Sequence, residues 1–218
     1  MAELFPILAV ETSGTLCSVA LCLDEKNFIE LNYLQKHIHS QKLIGMIDTV
    51  LKTSDLQLNQ IKSIAVSMGP GSFTGLRIGL SAVKGIAFGA ALPIIPVPTF
   101  DAFAYQIAEF VPDKSKFAIA VGANIEESYF AKYVKKENKV ETLEELKLIK
   151  KNNLENLIGP DEHVYGNIGN TALLNKADGP AAKAIGEWAY LYGQDLLTFD
   201  YDYLEPNYFK KFIVRAKR

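Results

Sequence analysis

Apolar positions along the first 110 residues fall in blocks whose period changes. Residues 5–11 form an almost unbroken apolar run, the pattern of a central strand covered on both faces. Residues 16–23 predict a second strand. Residues 28–34 predict a third, with Phe28, Glu30, Asn32 and Leu34 in partial alternation, and the polar stretch 24–27 supplies the turn before it. After Ser40, a good N-cap, Leu43, Ile44, Met46, Ile47, Val50 and Leu51 recur at helical spacing. A strand over 61–67, a helix over 73–90, a strand over 93–98 and a helix capped by Thr99 and running to about 110 complete the series βββαβαβα.

The second half starts again with strand-like runs at 117–121, at 128–134 and near Val140. The charged stretch 141–151 reads as a solvated helix or loop, and 164–168 as a short strand. Residues 181–197 predict a helix with Ile185, Trp188, Ala189 and Tyr192 on one side. The two halves therefore look like copies of one unit, the second eroded. The expected division is residues 1–100 and 101–218, with the last helix packing back on the first unit.

At 218 residues, 49% of them apolar, the chain can build a substantial core. A net charge of −2 argues against a protein that grips nucleic acid by itself. Basic excess is confined to Lys210, Lys211, Arg215, Lys217 and Arg218, either a solvated end or a tail that touches RNA or a partner. Cys17 and Cys22 lie five apart in a predicted strand, on opposite faces, and are expected to be reduced structural thiols. No run reaches the roughly 18 apolar residues of a membrane span, and Glu11 interrupts the first apolar run with nothing basic before it. A cytoplasmic chain with no membrane partner is expected.

Two segments are specific. One is Leu8-Ala-Val-Glu-Thr-Ser13 followed by Cys17-Ser-Val-Ala-Leu21; the other runs Ala65-Val-Ser-Met-Gly-Pro-Gly-Ser-Phe-Thr-Gly-Leu-Arg-Ile-Gly-Leu80 and on to Lys84-Gly85. Joined by His39-Ser-Gln41, they closely resemble the TsaB (YeaZ) family of bacterial threonylcarbamoyl-adenosine tRNA-modification proteins, over about residues 7–104. Beyond that the likeness thins to strand order and the stretch Glu205-Pro-Asn-Tyr-Phe-Lys210.

The resemblance implies an α/β, actin-like (ribonuclease H-like) fold of two tandem subdomains, each a mixed sheet flanked by helices. It implies a non-catalytic scaffold that pairs with an actin-like catalytic threonylcarbamoyltransferase and a small ATPase. The chain would form a homodimer when alone and reach tRNA only indirectly. In actin-like ATPases an acid ending the first strand holds hydrated Mg²⁺, and hydroxyls and N–H groups of the next turn cradle phosphate. Glu11, Thr12 and Ser13 occupy that place, where the family more often carries Asp. They are either a remnant of an ATP/ADP-Mg site or a trio that hydrogen-bonds its own turn. No cofactor is expected to be required.

The loop from Gly69 to Gly75 is not a phosphate-binding Gly-Lys-Ser/Thr loop. Gly69, Gly71 and Ser72 could present helix N-terminal N–H groups to an anion, or simply turn the chain into a closely packed helix that Ser72 or Thr74 caps. Gly71 and Gly75 permit positive φ or a close backbone approach. That helix carries Gly75, Gly79, Ala82 and Gly89 near one line, and Leu76, Leu80, Val83 and Ala87 at core spacing. Since each interior glycine costs about 0.8–1 kcal/mol relative to alanine, the small stripe invites a close neighbour. With the wide apolar arc of the preceding helix (Leu43, Ile47, Val50), it suggests either a two-helix docking face made of Leu43, Ile47, Val50, Gly75, Leu76, Gly79, Leu80, Ala82 and Val83, or a pair that simply covers its own sheet. Of Gly79 and Leu80, one is expected on the exposed side.

Metal and nucleophile chemistry look absent from the sequence. His37 and His39 have strand spacing and read as two surface histidines, whereas the catalytic relatives use a His-x-x-x-His pair on one helix face. Where the second half needs another acid for a nucleotide clamp, Gly122-Ala-Asn124 stands, and Glu126 and Glu127 come two residues late. Gly166-Asn-Ile-Gly-Asn170 is a nucleotide-side remnant or a strand-ending turn. A small actin-like ATPase or kinase is the alternative reading, and a peptidase is disfavoured for want of a nucleophile–base set.

Overall fold

The computed structural model describes residues 4–35, 38–137, 139–159, 162–168, 174–177 and 179–208. Two five-stranded mixed sheets are built in the same order. The first contains β1 (Ile7–Glu11), β2 (Leu16–Cys22), β3 (Phe28–Leu34), β4 (Ser63–Ser67) and β5 (Ile94–Val97), arranged β3-β2-β1-β4-β5. The second contains β6 (Lys116–Gly122), β7 (Glu127–Lys136), β8 (Lys139–Lys150), β9 (His163–Gly166) and β10 (Leu174–Lys176), arranged β8-β7-β6-β9-β10. In each, an antiparallel three-strand meander is extended by two strands parallel to the first.

Every residue of β1 is buried, because helices cover both faces of its sheet. On one face Leu8, Val10, Cys17, Val19 and Leu21 meet α1 (His39–Thr53) and α2 (Phe73–Ala90). On the other, Ile7, Ala9, Ala20 and Cys22 meet Ala102 of α3 (Thr99–Ala108) and Ala182, Ile185 and Ala189 of α5 (Ala182–Tyr192). The two cysteines sit in these two separate cores and are both free, as their odd spacing requires. Helix α5 thus returns from the end of the second sheet to the first, while α3 turns Phe100, Phe103 and Ile107 toward Phe117 and Ile119 of the second. The other face of the second sheet is covered by less chain, including the single turn α4 (Leu154–Leu157).

Several boundaries differ from the sequence reading. The charged stretch 141–151 is mostly β8, an edge strand paired with β7 through two register shifts. Its charges face water along an unpaired edge, where they discourage further strand pairing. Strand β10, three residues long, is too short to leave a period. Helix α1 starts at His39 after Ile38, not behind a Ser40 cap; the buried His39 ring places Nε2 3.2 Å from the Leu16 carbonyl. His39 is therefore not a surface histidine, and His37 lies outside the described residues. Ser72 caps α2, its hydroxyl accepting from the Gly75 N–H at 3.2 Å. Thr99 does not cap α3; its hydroxyl accepts from the Gly69 N–H at 2.9 Å and its own N–H donates to the Gly69 carbonyl. Helix α5 ends at Tyr192 with Gly193 as its C-cap, and a Cβ on Gly193 would lie 2.6 Å from Ile95 Cγ2.

Candidate cleft between the two sheets

Chain order in each sheet brings the ends of β1 and β6 toward one another. Between them lies a cleft of about 510 Å³. Ser13, Gly14, His39 and the loop from Gly71 to Gly75 line one side, with Val121, Gly122, Ala123, Tyr129 and Asn167 on the other. Asn207 and Tyr208 border it too. Their segment is fastened to the first unit: the Asn207 N–H donates to the Met68 carbonyl at 2.7 Å, and Arg77 Nε donates to the Tyr208 hydroxyl at 2.8 Å. The Arg77 guanidinium also stacks 3.9 Å from the Phe73 ring centre.

Glu11 and Thr12 do not reach this cleft. Both are sealed under α2, with Glu11 1% exposed. The Glu11 carboxyl accepts from the Ser13 N–H, while Glu11 Oε2, Thr12 Oγ1 and Ser67 Oγ are buried without a hydrogen-bond partner. Burial pushes the Glu11 carboxyl up to about 7. The Ser13 hydroxyl and N–H pull the other way, as does the Ser67 hydroxyl, which faces the carboxyl without completing a hydrogen bond. Ser13, itself buried at 5% exposed, is the one member of the trio at the cleft wall.

The glycines of α2 explain the seal. A Cβ on Gly75 would lie 2.1 Å from the Thr12 carbonyl oxygen, one on Gly79 would lie 2.2 Å from Thr12 Oγ1, and one on Gly71 would lie 2.5 Å from the Ser13 carbonyl oxygen. The start of α2 is therefore pressed onto the β1–β2 turn. The Ser72 N–H donates to the Ser13 carbonyl at 2.6 Å, and the Gly75 N–H is taken by the Ser72 hydroxyl. Gly69 holds φ +101°, and a Cβ there would meet the Asn207 carbonyl at 2.9 Å. The close neighbour that Gly75 and Gly79 require is a turn of the same chain rather than a second helix.

The nine residues assigned to a docking face are placed accordingly. Leu43, Ile47 and Val50 of α1 and Gly75, Leu76, Gly79, Leu80 and Val83 of α2 are all buried within this chain. Gly79 and Leu80 both lie inside, so neither is on the exposed side. Ala82 is half-buried. The reason is that the apolar arcs of α1 and α2 rest on the first sheet and on each other. What the two helices leave outside includes Ile44, 57% exposed, Phe88, 78% exposed, and Gly45, Gly85 and Gly89, whose added Cβ atoms would meet nothing within 4 Å, together with the exposed polar residues Lys42, Asp48, Lys52, Arg77 and Ser81.

On the second sheet, β6 ends in Val121-Gly122 with no acid. Asn124 Oδ1 accepts from the N–H groups of Glu126 and Glu127, and its amide donates to Glu127 Oε2, so the late acids serve their own hairpin. Asn167 Oδ1 accepts from the Gly122 N–H at 3.0 Å, tying the end of β9 to β6; Gly169 and Asn170 lie outside the described residues. So do all five cations of the basic tail. These residues do not fit a magnesium–nucleotide clamp. The carboxyl meant for the hydrated ion is sealed and half-protonated near neutrality, the Ser72 and Gly75 N–H groups beside it are spent on the chain's own oxygens, and β6 ends without an opposing acid. At the cleft wall the His39 Nε2 faces the Leu16 backbone carbonyl.

Sequence reasoning missed Ser67, His39 and the Asn207–Tyr208 strap. The hydroxyl ending β4 just before Gly69 was a usable signal for Ser67; the stretch Glu205–Lys210 carried part of the family likeness, but nothing local shows that Tyr208 clasps Arg77, 131 residues away.

Two equal sheets of order 3-2-1-4-5, facing each other across a cleft, define an actin-like, ribonuclease H-like protein. A family model described as "TsaD: tRNA N6-adenosine threonylcarbamoyltransferase" matches residues 33–178. A "tRNA threonylcarbamoyladenosine biosynthesis protein TsaB" of Buchnera aphidicola subsp. Schizaphis graminum is 33% identical over 68% of this chain and 70% of its own length. The chain belongs to the TsaB (YeaZ) family. The protein of that name from Haemophilus influenzae is 41% identical over 130 residues, 59% of this chain. With it and its Escherichia coli counterpart the match spans little more than half of the relatives' length, 54% and 56%. The structure titled YeaZ from Pseudomonas aeruginosa superposes with a TM-score of 0.76 over 93% of this chain and 98% of its own, at 22% identity. Among the described residues no helix is long and apolar enough to cross a membrane.

Proposed function

We propose that this chain is a non-catalytic subunit of the machinery that forms N6-threonylcarbamoyladenosine beside the tRNA anticodon. It binds an actin-like threonylcarbamoyltransferase, works with a small ATPase, meets tRNA only through those partners and requires no nucleotide of its own. The observation that carries the reading is the asymmetry of two otherwise equal sheets: only the first keeps an acid at the end of its central strand, and that acid is sealed from the cleft. Analysis of modified nucleosides in tRNA after depletion tests it. Threonylcarbamoyladenosine is expected to fall and to return with the wild-type chain. An unchanged level would end the reading, and ATP turnover by the purified chain that Glu11→Ala abolishes would replace it with the ATPase reading.

The partner face in this proposal is the outer side of α1 and α2, which also pairs two copies when the chain is alone. Gly85 sits mid-helix with open space around it, so nothing among the described residues accounts for the roughly 1 kcal/mol that glycine costs there. Gly85→Ala is expected to raise stability by about that amount. Gly85→Arg and Phe88→Asp are expected to leave folding intact and to abolish co-elution with the cognate transferase in gel filtration. Normal co-elution of both would move the interface elsewhere.

A further inference from the structure

The junction of α3, α5 and the β7–β8 hairpin holds a second small pocket, of about 170 Å³, away from the cleft. Its wall comes from three elements. Asp101 and Tyr105 are one turn apart on α3, and Trp188 and Tyr192 are one turn apart on α5, so each pair shares a helix face. Tyr133 of β7 closes the base, 4% exposed. Tyr105 and Tyr192 are set edge-on, with centroids 6.5 Å apart at 74°, and Trp188 is tilted against Tyr192, 5.7 Å apart at 49°.

The one acid among these aromatics is out of balance with its surroundings. Asp101 is largely desolvated, accepts a hydrogen bond from the Tyr133 hydroxyl and feels the like charge of Glu145; burial and that charge both push its carboxyl up. Among the described residues it has no ion-pair partner. Lys183, on the same helix as Trp188, is already paired with Glu109 and Glu187. Aromatic faces attract cations through their quadrupoles, and a carboxylate at the base of such a group supplies the matching charge. At this size the pocket falls below that of a nucleotide-sized ligand and suits a single head group.

We propose that the Asp101 pocket binds an organic cation, an alkylammonium or guanidinium group held between Trp188, Tyr192 and Tyr105 with Asp101 as counter-ion. The group arrives either on a free small molecule or on a side chain of another protein. Trp188 is the chain's one tryptophan, so its fluorescence reports the pocket without labelling. The full chain is titrated at constant ionic strength with tetramethylammonium chloride and with N-acetyl-arginine amide, and with tert-butanol as the neutral counterpart. A saturable change in emission is expected with at least one cation and not with the alcohol. Response to both cations fits the free small molecule, and response to the arginine amide alone fits the protein side chain. Asp101→Asn is expected to weaken binding at least tenfold. Tyr192→Leu, at a half-exposed ring whose loss the fold tolerates, is expected to weaken it several-fold and decides the matter if the first variant misfolds. No saturable response, an equal response to tert-butanol, or unaltered affinity in a folded Asp101→Asn or Tyr192→Leu protein would overturn the assignment.

Discussion

Gly75→Ala is expected to destabilise the protein by roughly 3 kcal/mol or more, although alanine is the better helix former by about 1 kcal/mol. The new Cβ would sit 2.1 Å from the Thr12 carbonyl oxygen, a backbone atom that no rotamer change can move. Relief requires α2 to lift off the β1–β2 turn. That lift also disturbs the Ser72 N–H to Ser13 carbonyl bond and the Ser72 cap, both within the same turn of chain. Urea unfolding checks it, with Gly85→Ala as the matched control that meets nothing. Equal midpoints for the two variants would show that α2 is not pressed onto the turn.

Glu11→Gln is expected to stabilise the protein at alkaline pH and to flatten its pH profile. The carboxyl titrates near 4.5 in the unfolded chain and at about 7 when folded. Between those values the folded state holds the extra proton, so stability falls as pH rises. The contribution is fully present below about 4.5 and fully lost above about 7, where the buried charge costs about 3 kcal/mol, reckoned at 1.36 kcal/mol per unit. Glutamine keeps an acceptor for the Ser13 N–H and carries no charge. Unfolding midpoints of wild type and variant are expected to nearly coincide at pH 4.5 and to separate by pH 8. Parallel profiles would mean that Glu11 is solvated and that the seal described above is absent.

Together these variants test whether the space around Glu11 is filled by the chain itself. The acid, the hydroxyls and the glycine-rich turn persist at the expected places, and the space between them is filled by the chain itself. A phosphate cradle and a tight helix–turn contact call for the same residue types, small side chains and free N–H groups, so composition cannot tell them apart.

What the sequence by itself determined is the order of elements. The buried run of β1, the meander, the helices α1 to α3, the repeat and the separate faces of Cys17 and Cys22 all follow from periods of 2 and 3.6, which are local properties. Only the tertiary structure decided which side of each helix met the sheet, because a wide apolar arc such as that of α1 reads the same whether its second half meets a neighbour in the chain or another protein. It alone showed that Gly75 and Gly79 answer to Thr12 while Gly85 meets none of the described residues. It also gathered Asp101, Tyr133 and Trp188 into one pocket. Those contacts join residues 30 to 90 positions apart, and burial, charge and steric fit are set by such pairs rather than by any window of neighbouring residues.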